Sequence, residues 1–220
     1  LSTAGLAIAG LNGANITMAA TGGALTAANV NIIAGKTSGV VTATVTETTA
    51  AALATIAETG HNLTLTLADA SVAASVLNTL NAKTTGVVTV QATTITGTAA
   101  DINTAYTSNA AGTIPGLGNE AVTLTDTSIN ASALITLDAF TSGIINASSI
   151  TTLTGSASDQ ATVRGSSGIT GLPGINILGG FTQIGSDIDG EAAGNGSGSA
   201  VSISSDAVSY THLRAHETKT

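Results

Sequence analysis

The chain has 220 residues, a formal net charge of −8 and neither cysteine nor tryptophan. Charged residues make up 8% of it and aromatic residues 2%, against 43% hydrophobic residues, whereas an ordinary globular domain is about a quarter charged. This balance excludes general disorder, a disulfide framework and a thiolate metal site. It also argues against a nucleic-acid partner, which needs a cationic surface. We expect a core built from Ala, Val, Ile and Leu.

The first 35 residues carry no charge, but Gly, Asn and Thr interrupt them every few positions. A membrane-spanning helix needs about 20 mainly apolar residues in a row, so we expect no membrane span. The chain begins with Leu1 and stops in mid-pattern. We therefore expect an internal fragment of a longer protein, in which missing targeting signals mean little.

An internal repeat organises the sequence. Residues 25–39, 72–86 and 129–143 align without gaps, at offsets of 47 and 57 residues. Each copy ends in Thr-Ser-Gly or Thr-Thr-Gly, a turn that can take positive φ. Each then runs into a β-branched pair that predicts a strand: Val40-Val41, Val87-Val88 and Ile144-Ile145.

The sequence pattern of each repeat unit predicts two short helices. Residues 72–80 place apolar side chains at i, i+4, i+5 and i+8, which is one stripe of a helix. Asp69 or Ser71 is expected to cap this helix, and their counterparts in the next copy are Asp126 and Ser128.

The second helix of the unit begins with a capping-box pattern. Thr98-Ala-Ala-Asp101 and Ser156-Ala-Ser-Asp159 both have a hydroxyl followed three residues later by an acid. We weigh the recurring Asp residues as a calcium ladder against helix capping, and we favour capping because each unit needs it.

A strand and helix of about 20 to 30 residues cannot bury their own apolar face, whereas stacking on the next pair buries both faces. We therefore predict an α/β repeat fold, a β-rich, solenoid-like stack of short strands and short helices, followed by an incomplete β-hairpin or propeller-blade segment. The expected divisions are a partial degenerate repeat at 1–24, repeat units at 25–71, 72–128 and 129–177, a blade-like segment at 178–207 and a non-native or disordered tail at 208–220.

The repeats resemble those of a known class of proteins. Residues 72–88, 94–106, 116–126 and 150–155 look like the tandem repeats of very large secreted or cell-surface proteins of marine bacteria, notably cyanobacteria. The resemblance covers about residues 25–175. Such proteins are similar to adhesins, are often exported by type I secretion and often carry calcium-binding modules elsewhere. The resemblance implies an extracellular or cell-surface location, with cell-surface polysaccharide or other cells as partners.

The C-terminal part follows a different pattern. Residues 178–207 resemble the opening of a blade of an FG-GAP, integrin-like β-propeller. Within them Asp187, Asp189 and Glu191 alternate beside Gly190, a carboxylate cluster of the kind that hard cations favour. We mark these three as a candidate calcium site, with a solvated acidic turn as the alternative, because the EF-hand loop is incomplete. Residues 208–218 resemble a translated sequencing-adaptor remnant.

Two further motifs predict no chemistry. His61 is the only histidine before position 206, but no Gly-x-Ser-x-Gly elbow and no cysteine accompany it. We expect it in the loop 58–62. Gly116-Leu-Gly-Asn-Glu-Ala121 mimics a dinucleotide fingerprint, yet it leads into the strand-like run 122–125 and not into a helix.

Threonines at 42, 44 and 46, and again at 64 and 66, alternate as outward strand positions do. Ranks of such hydroxyls can order water, which makes ice binding an alternative. Against it, the units do not repeat a Thr pair in every turn, and β propensity explains the Thr equally well.

We expect a non-enzymatic structural or adhesive repeat segment with no catalytic or cofactor-binding residue and, at most, bound Ca²⁺. Its first partners are neighbouring repeats of the same chain. The alternative is a carbohydrate-active solenoid enzyme or an ice- or ligand-binding Thr-rich module. An enzyme acting on acidic polysaccharide needs a cationic clamp and an acid–base pair, so Lys36, Lys83 and Arg164 would have to converge beside a carboxylate.

Overall fold

The computed structural model describes residues 12–18 and 23–174, and these residues form a mixed α/β fold of parallel sheets and short helices. Within these ranges one or two strands precede a helix six times, and a last strand follows. We call each such group, the strands together with the helix that follows them, a segment, and we name the segment after its helix. The strands are β1 Ile16–Thr17, β2 Ala24–Leu25, β3 Val41–Val45, β4 Asn62–Leu67, β5 Ser71–Ala73, β6 Val88–Val90, β7 Thr94–Gly97, β8 Ala121–Leu124, β9 Ser128–Asn130, β10 Ile145–Asn146, β11 Thr152–Thr154 and β12 Ile169–Thr170. The helices are α1 Ala27–Ala34, α2 Ala50–Leu53, α3 Ala74–Lys83, α4 Ala99–Ala110, α5 Ala131–Asp138 and α6 Ala157–Gly165.

Each strand pair in the described ranges is parallel and joins one segment to the next. Strand partners lie 20 to 27 residues apart in sequence. One sheet has the order β1-β3-β4-β6, with β2 also paired to β3, a second has the order β12-β10-β8-β7-β5, and β9 pairs with β11. On the helix side, α3 contacts α4, α4 contacts α5 and α5 contacts α6.

The alternating sequence of the strands explains which side chains enter the core. In β4 the leucines at 63, 65 and 67 are buried, while the threonines between them are half-buried on the other face. Paired strands place β-branched residues side by side, and one buried row crosses five strands in register: Val72, Ile95, Val122, Ile145 and Ile169. The predicted strands after Gly39, Gly86 and Gly143 are confirmed as β3, β6 and β10.

One aromatic pair departs from the predicted aliphatic core. Tyr106 of α4 is 1% exposed, and its ring stacks on that of Phe140 with centroids 5.7 Å apart and planes 6° from parallel. Large aromatic rings bury more apolar surface than any aliphatic side chain. The pair therefore fills a wide space that Ala and Val do not fill.

The predicted helix at 72–80 begins later than its apolar stripe suggested. Val72 lies in β5, α3 begins at Ala74, and its N-cap residue Ala73 makes no side-chain hydrogen bond. Leu77 and Leu80 are buried as expected. Val72 is β-branched and pairs with Ile95 in the sheet, so strand pairing overrides the helical spacing at this position.

The two predicted capping boxes are confirmed as helix starts. Thr98 Oγ1 accepts from the Asp101 N–H at the start of α4, and Ser156 Oγ accepts from the Asp159 N–H at the start of α6. The strand-like run after Gly116 is likewise confirmed as β8. No helix of the described ranges has the length and apolarity to cross a membrane. The blade-like segment 178–207, the tail 208–220 and most of the partial repeat 1–24 lie outside the described residues.

Candidate functional site: the contacts between successive segments

The glycine that ends each sequence repeat sits against the backbone of the preceding segment. A Cβ atom on Gly39, Gly86 or Gly143 would overlap a carbonyl oxygen of that segment, from Ala14, Leu63 and Glu120 respectively. None of the three glycines has a φ in the left-handed region. The close approach of two chains therefore requires glycine here, and not the positive φ that the turn pattern indicated.

A threonine two residues before each glycine binds the same carbonyl oxygen. The Oγ1 atoms of Thr37, Thr84 and Thr141 donate to those carbonyls over 2.6, 2.7 and 2.8 Å. Each Oγ1 also accepts from the N–H of the following glycine, over 2.8 to 2.9 Å. We name this arrangement the Thr-x-Gly clasp, because one hydroxyl and one glycine hold a single carbonyl of the segment before.

A fourth, related contact follows α6 and was missed in the sequence. Gly168 N–H donates to Ser166 Oγ over 3.0 Å, and that hydroxyl donates to Asp138 Oδ2 of α5 over 2.8 Å. A Cβ on Gly168 would overlap the Asp138 carboxylate. The signal that could have revealed it is the run Ser166-Ser-Gly-Ile169, which has the same hydroxyl-x-Gly-β-branched order.

Three acidic side chains cap helices across the segment boundary. Glu47, Asp69 and Asp126 accept from the N–H groups of Ala27, Ala50 and Ala99, over 2.9, 2.7 and 2.8 Å. These N–H groups belong to the first residues of α1, α2 and α4, which have no partner within their helices. Negative charge is also favourable at a helix N-terminus.

The expectation that Asp69 or Ser71 caps α3, and Asp126 or Ser128 caps α5, is wrong. Asp69 and Asp126 cap the helix of the preceding segment, and Ser71 and Ser128 lie in β5 and β9. The carboxylates of Asp69 and Asp126 accept from N–H groups 19 and 27 residues earlier in the chain. Capping itself, favoured over a calcium ladder, is what these carboxylates do.

A buried carboxylate holds the loop that follows α4, the helix that is longer than its counterpart α2. Glu120 is 2% exposed, and its Oε2 accepts from Gly118 N–H over 2.8 Å, from Asn119 N–H over 3.2 Å and from Tyr106 Oη over 3.3 Å. Its backbone carbonyl is the one that Thr141 binds. Burial, together with the negative charge of Glu120, raises the pKa of Tyr106 to about 12.

His61 lies inside the structure and not in an open loop. It is buried, it forms an isolated parallel bridge with Thr84, and its Nδ1 accepts from the Val41 N–H over 3.2 Å. Its carbonyl also accepts from Thr85 N–H over 2.8 Å. The ring thus joins two segments, and its Nδ1 lone pair is already used.

The three basic side chains of the described residues lie in or just after three different helices. Lys36 follows α1, Lys83 ends α3 and Arg164 lies in the last turn of α6. Lys83 Nζ donates to the Ile56 carbonyl, and Arg164 Nη1 donates to the Pro173 carbonyl. Lys83 and Asp101 line a shallow groove of about 560 Å³ with Thr59, Ser75, Asn78, Thr79 and Ala82.

The candidate calcium residues Asp187, Asp189 and Glu191 lie outside the described residues. Within residues 12–18 and 23–174, no three His, Asp or Glu side chains gather closely enough to hold a metal ion. Comparison with protein-family models, with curated proteins and with solved structures finds no match.

Replacing Gly143 with Ala tests the clasp. The added Cβ overlaps the Glu120 carbonyl, so we expect the free energy of unfolding to fall by about 1–3 kcal/mol. Gly165→Ala is the control, because a Cβ at that position of α6 meets no atom within 4 Å and Ala favours the helix. Denaturant titrations followed by circular dichroism measure both. Equal stability of the two variants would contradict the clasp.

Asp126→Ala tests the cap across the segment boundary. Loss of an N-cap acceptor costs about 1 kcal/mol, and α4 is the helix expected to lose protection, because Asp126 binds Ala99 N–H. Amide hydrogen exchange of residues 99–103 measures the effect. Glu58→Ala removes the same charge from an exposed position and should leave exchange unchanged. Faster exchange in α5 and not in α4 would show that Asp126 caps its own segment.

Tyr106 gives the chain a specific alkaline sensitivity. Its folded pKa of about 12 lies above the unfolded value of about 10, so folding favours the protonated phenol. This contribution is complete below about pH 10 and is lost as the pH rises toward about pH 12. Unfolding free energies across that range should fall for the wild-type chain and fall less for Tyr106→Phe. Parallel curves for the two proteins would contradict the assignment.

Proposed function

We propose that the described part of the chain is a stretch of solenoid that serves as a non-enzymatic structural or adhesive spacer in a large extracellular or cell-surface protein. One observation carries this proposal: each parallel strand pair links consecutive segments, at separations of 20 to 27 residues. Stability in such an array is a sum over neighbouring pairs. An array of this kind extends by adding segments, which is what a spacer requires.

The short helices support the same proposal. The four-residue helix α2 is too short to be stable alone. Its first N–H group, that of Ala50, donates to the Asp69 carboxylate of the next segment, and its Leu53 is fully buried. In addition to its own N-cap Thr49, α2 thus gains a second acceptor from the next segment, so tension on one of these two segments is shared with the other.

The surface chemistry fits an extracellular role. The acidic excess of the chain keeps the segments soluble and disfavours association between like-charged copies. The resemblance of residues 25–175 to repeats of giant surface proteins of marine bacteria points the same way. In this proposal Asp187, Asp189 and Glu191 belong to the following module, where Ca²⁺ in seawater would be taken up.

Single-molecule force measurement on the full chain tests the spacer proposal. With the chain held by its two termini, we expect successive ruptures that each release one segment of 20 to 27 residues, or about 65–95 Å of extended chain. Gly143→Ala should lower the force of one of these ruptures. A single rupture that releases the described range at once would contradict a segmented spacer.

A further inference from the structure

Each of the two five-stranded sheets presents a face that carries no charge. Side chains that alternate with the buried strand residues point away from the core, and we call them together the outer strand face. None of the strands in the described ranges contains Asp, Glu, Lys, Arg or an aromatic residue. In a chain of net charge −8, the acidic residues of the described ranges lie instead in loops and helices.

Hydroxyl and amide side chains form rows on this face. Thr96, Thr123, Asn146 and Thr170 stand in register on the adjacent strands β7, β8, β10 and β12. Shorter rows join Thr44 to Thr64 and Thr66 to Thr89. Adjacent strands are about 4.7–4.9 Å apart. Within each row, strand register and not sequence spacing aligns these side chains.

Some hydroxyls of this face are available to a partner, whereas Thr96 and Thr170 donate to the Val72 and Ile145 carbonyls over 3.5 and 3.4 Å. Thr44, Thr64 and Thr123 make no side-chain hydrogen bond within the described residues. Apolar groups lie beside the rows, since Val40, Val87 and Ile144 are 39%, 36% and 47% exposed. The outer strand face thus offers methyl and hydroxyl groups at a fixed spacing on a hydrogen-bonded backbone.

The composition of the face selects among partners. It has no charge to pair with a polyelectrolyte and no aromatic ring to cover the apolar side of a sugar. A charged side chain would orient its own hydration shell, whereas uncharged hydroxyls accept the geometry of an existing water lattice. Because the rows are fixed by strand pairing, binding such a lattice orders few additional side chains.

We propose that the outer strand face binds ordered water at an ice surface, a function separate from that of the spacer. Each hydroxyl that has no partner within the described residues contributes one hydrogen bond to lattice water, and the neighbouring methyl groups fill the gaps between the water molecules. Individual contacts are weak, and their number across the rows gives the affinity.

Ice recrystallisation inhibition by the full chain tests the proposal. Thr44→Lys with Thr123→Lys places one charge on each sheet of the face, while Thr136→Lys with Thr162→Lys places the same charges on exposed positions of α5 and α6. We expect the native chain and the helix variant to inhibit recrystallisation. We expect the strand variant to need about tenfold more protein or more, which corresponds to about 1.4 kcal/mol of lost binding.

A further double variant keeps the test decisive if the Lys substitutions unfold the chain. Thr44→Val with Thr123→Val retains the shape and removes two hydroxyls, and it should weaken inhibition in a chain whose circular dichroism is unchanged. The proposal is overturned by absence of inhibition in the native chain, by equal loss in strand and helix variants, or by full activity of the Val variant.

Retention on insoluble cellulose without any effect on ice would assign the face to a neutral glycan. Concentration-dependent dimerisation that the Lys pair on the strands abolishes would assign it to a second copy of the chain. Neither result bears on the force measurement.

Discussion

Each repeat glycine meets the preceding segment at a carbonyl oxygen that lies where a side chain would otherwise begin. Leu63 presents that oxygen to Gly86, and Thr84 donates a hydrogen bond to it from two residues away. A parallel ladder aligns two strands but tolerates slippage by two residues. The clasp removes that freedom, because a glycine and a hydroxyl must meet one particular carbonyl. The register set at Gly39, Gly86 and Gly143 then aligns the buried rows, the helix starts and the outer threonines.

A second set of contacts joins three helices to the segments that follow them. Glu47, Asp69 and Asp126 accept from the first N–H groups of helices that precede them in the chain. The N-cap threonines of these helices already bind a later N–H group, so the following segment adds a second cap when it docks. Short helices of this kind have little stability of their own. Glu120 and Tyr106 make a comparable contact in the longer repeat unit. The buried Glu120 carboxylate accepts from Gly118 N–H and from Tyr106 Oη, and it thereby holds the loop at 118–120 against α4. Side-chain contacts of this kind therefore tie helices of the described ranges to residues that follow them in the chain.

The sequence predicts the elements better than it predicts the contacts. Alternation in residues 62–67 and the β-branched pairs after the three glycines indicate strands because their cause is local, and Thr98 and Ser156 mark helix starts for the same reason. The roles of Asp69 and Asp126 depend on a partner 19 or 27 residues away, which local pattern does not contain. Val72 satisfies both a helical stripe and a strand, and pairing with Ile95 decides between them. The burial of His61 and Glu120 follows from segment packing, for which their sequence neighbours give no signal.

Deletion of residues 87–143 tests the dependence between neighbours most directly, because it removes one repeat unit and joins Gly86 to Ile144 with the hydroxyl-x-Gly-β-branched order intact. The chain has no cysteine, so single cysteines at Ala51 of α2 and Thr162 of α6 allow spin labels to report one distance. A stack of segments predicts a shortened chain that still unfolds cooperatively, with the label distance reduced by two strand spacings, about 9–10 Å. Loss of cooperative folding, or a label distance that does not shorten, would show that the segments share one indivisible core and would contradict the account.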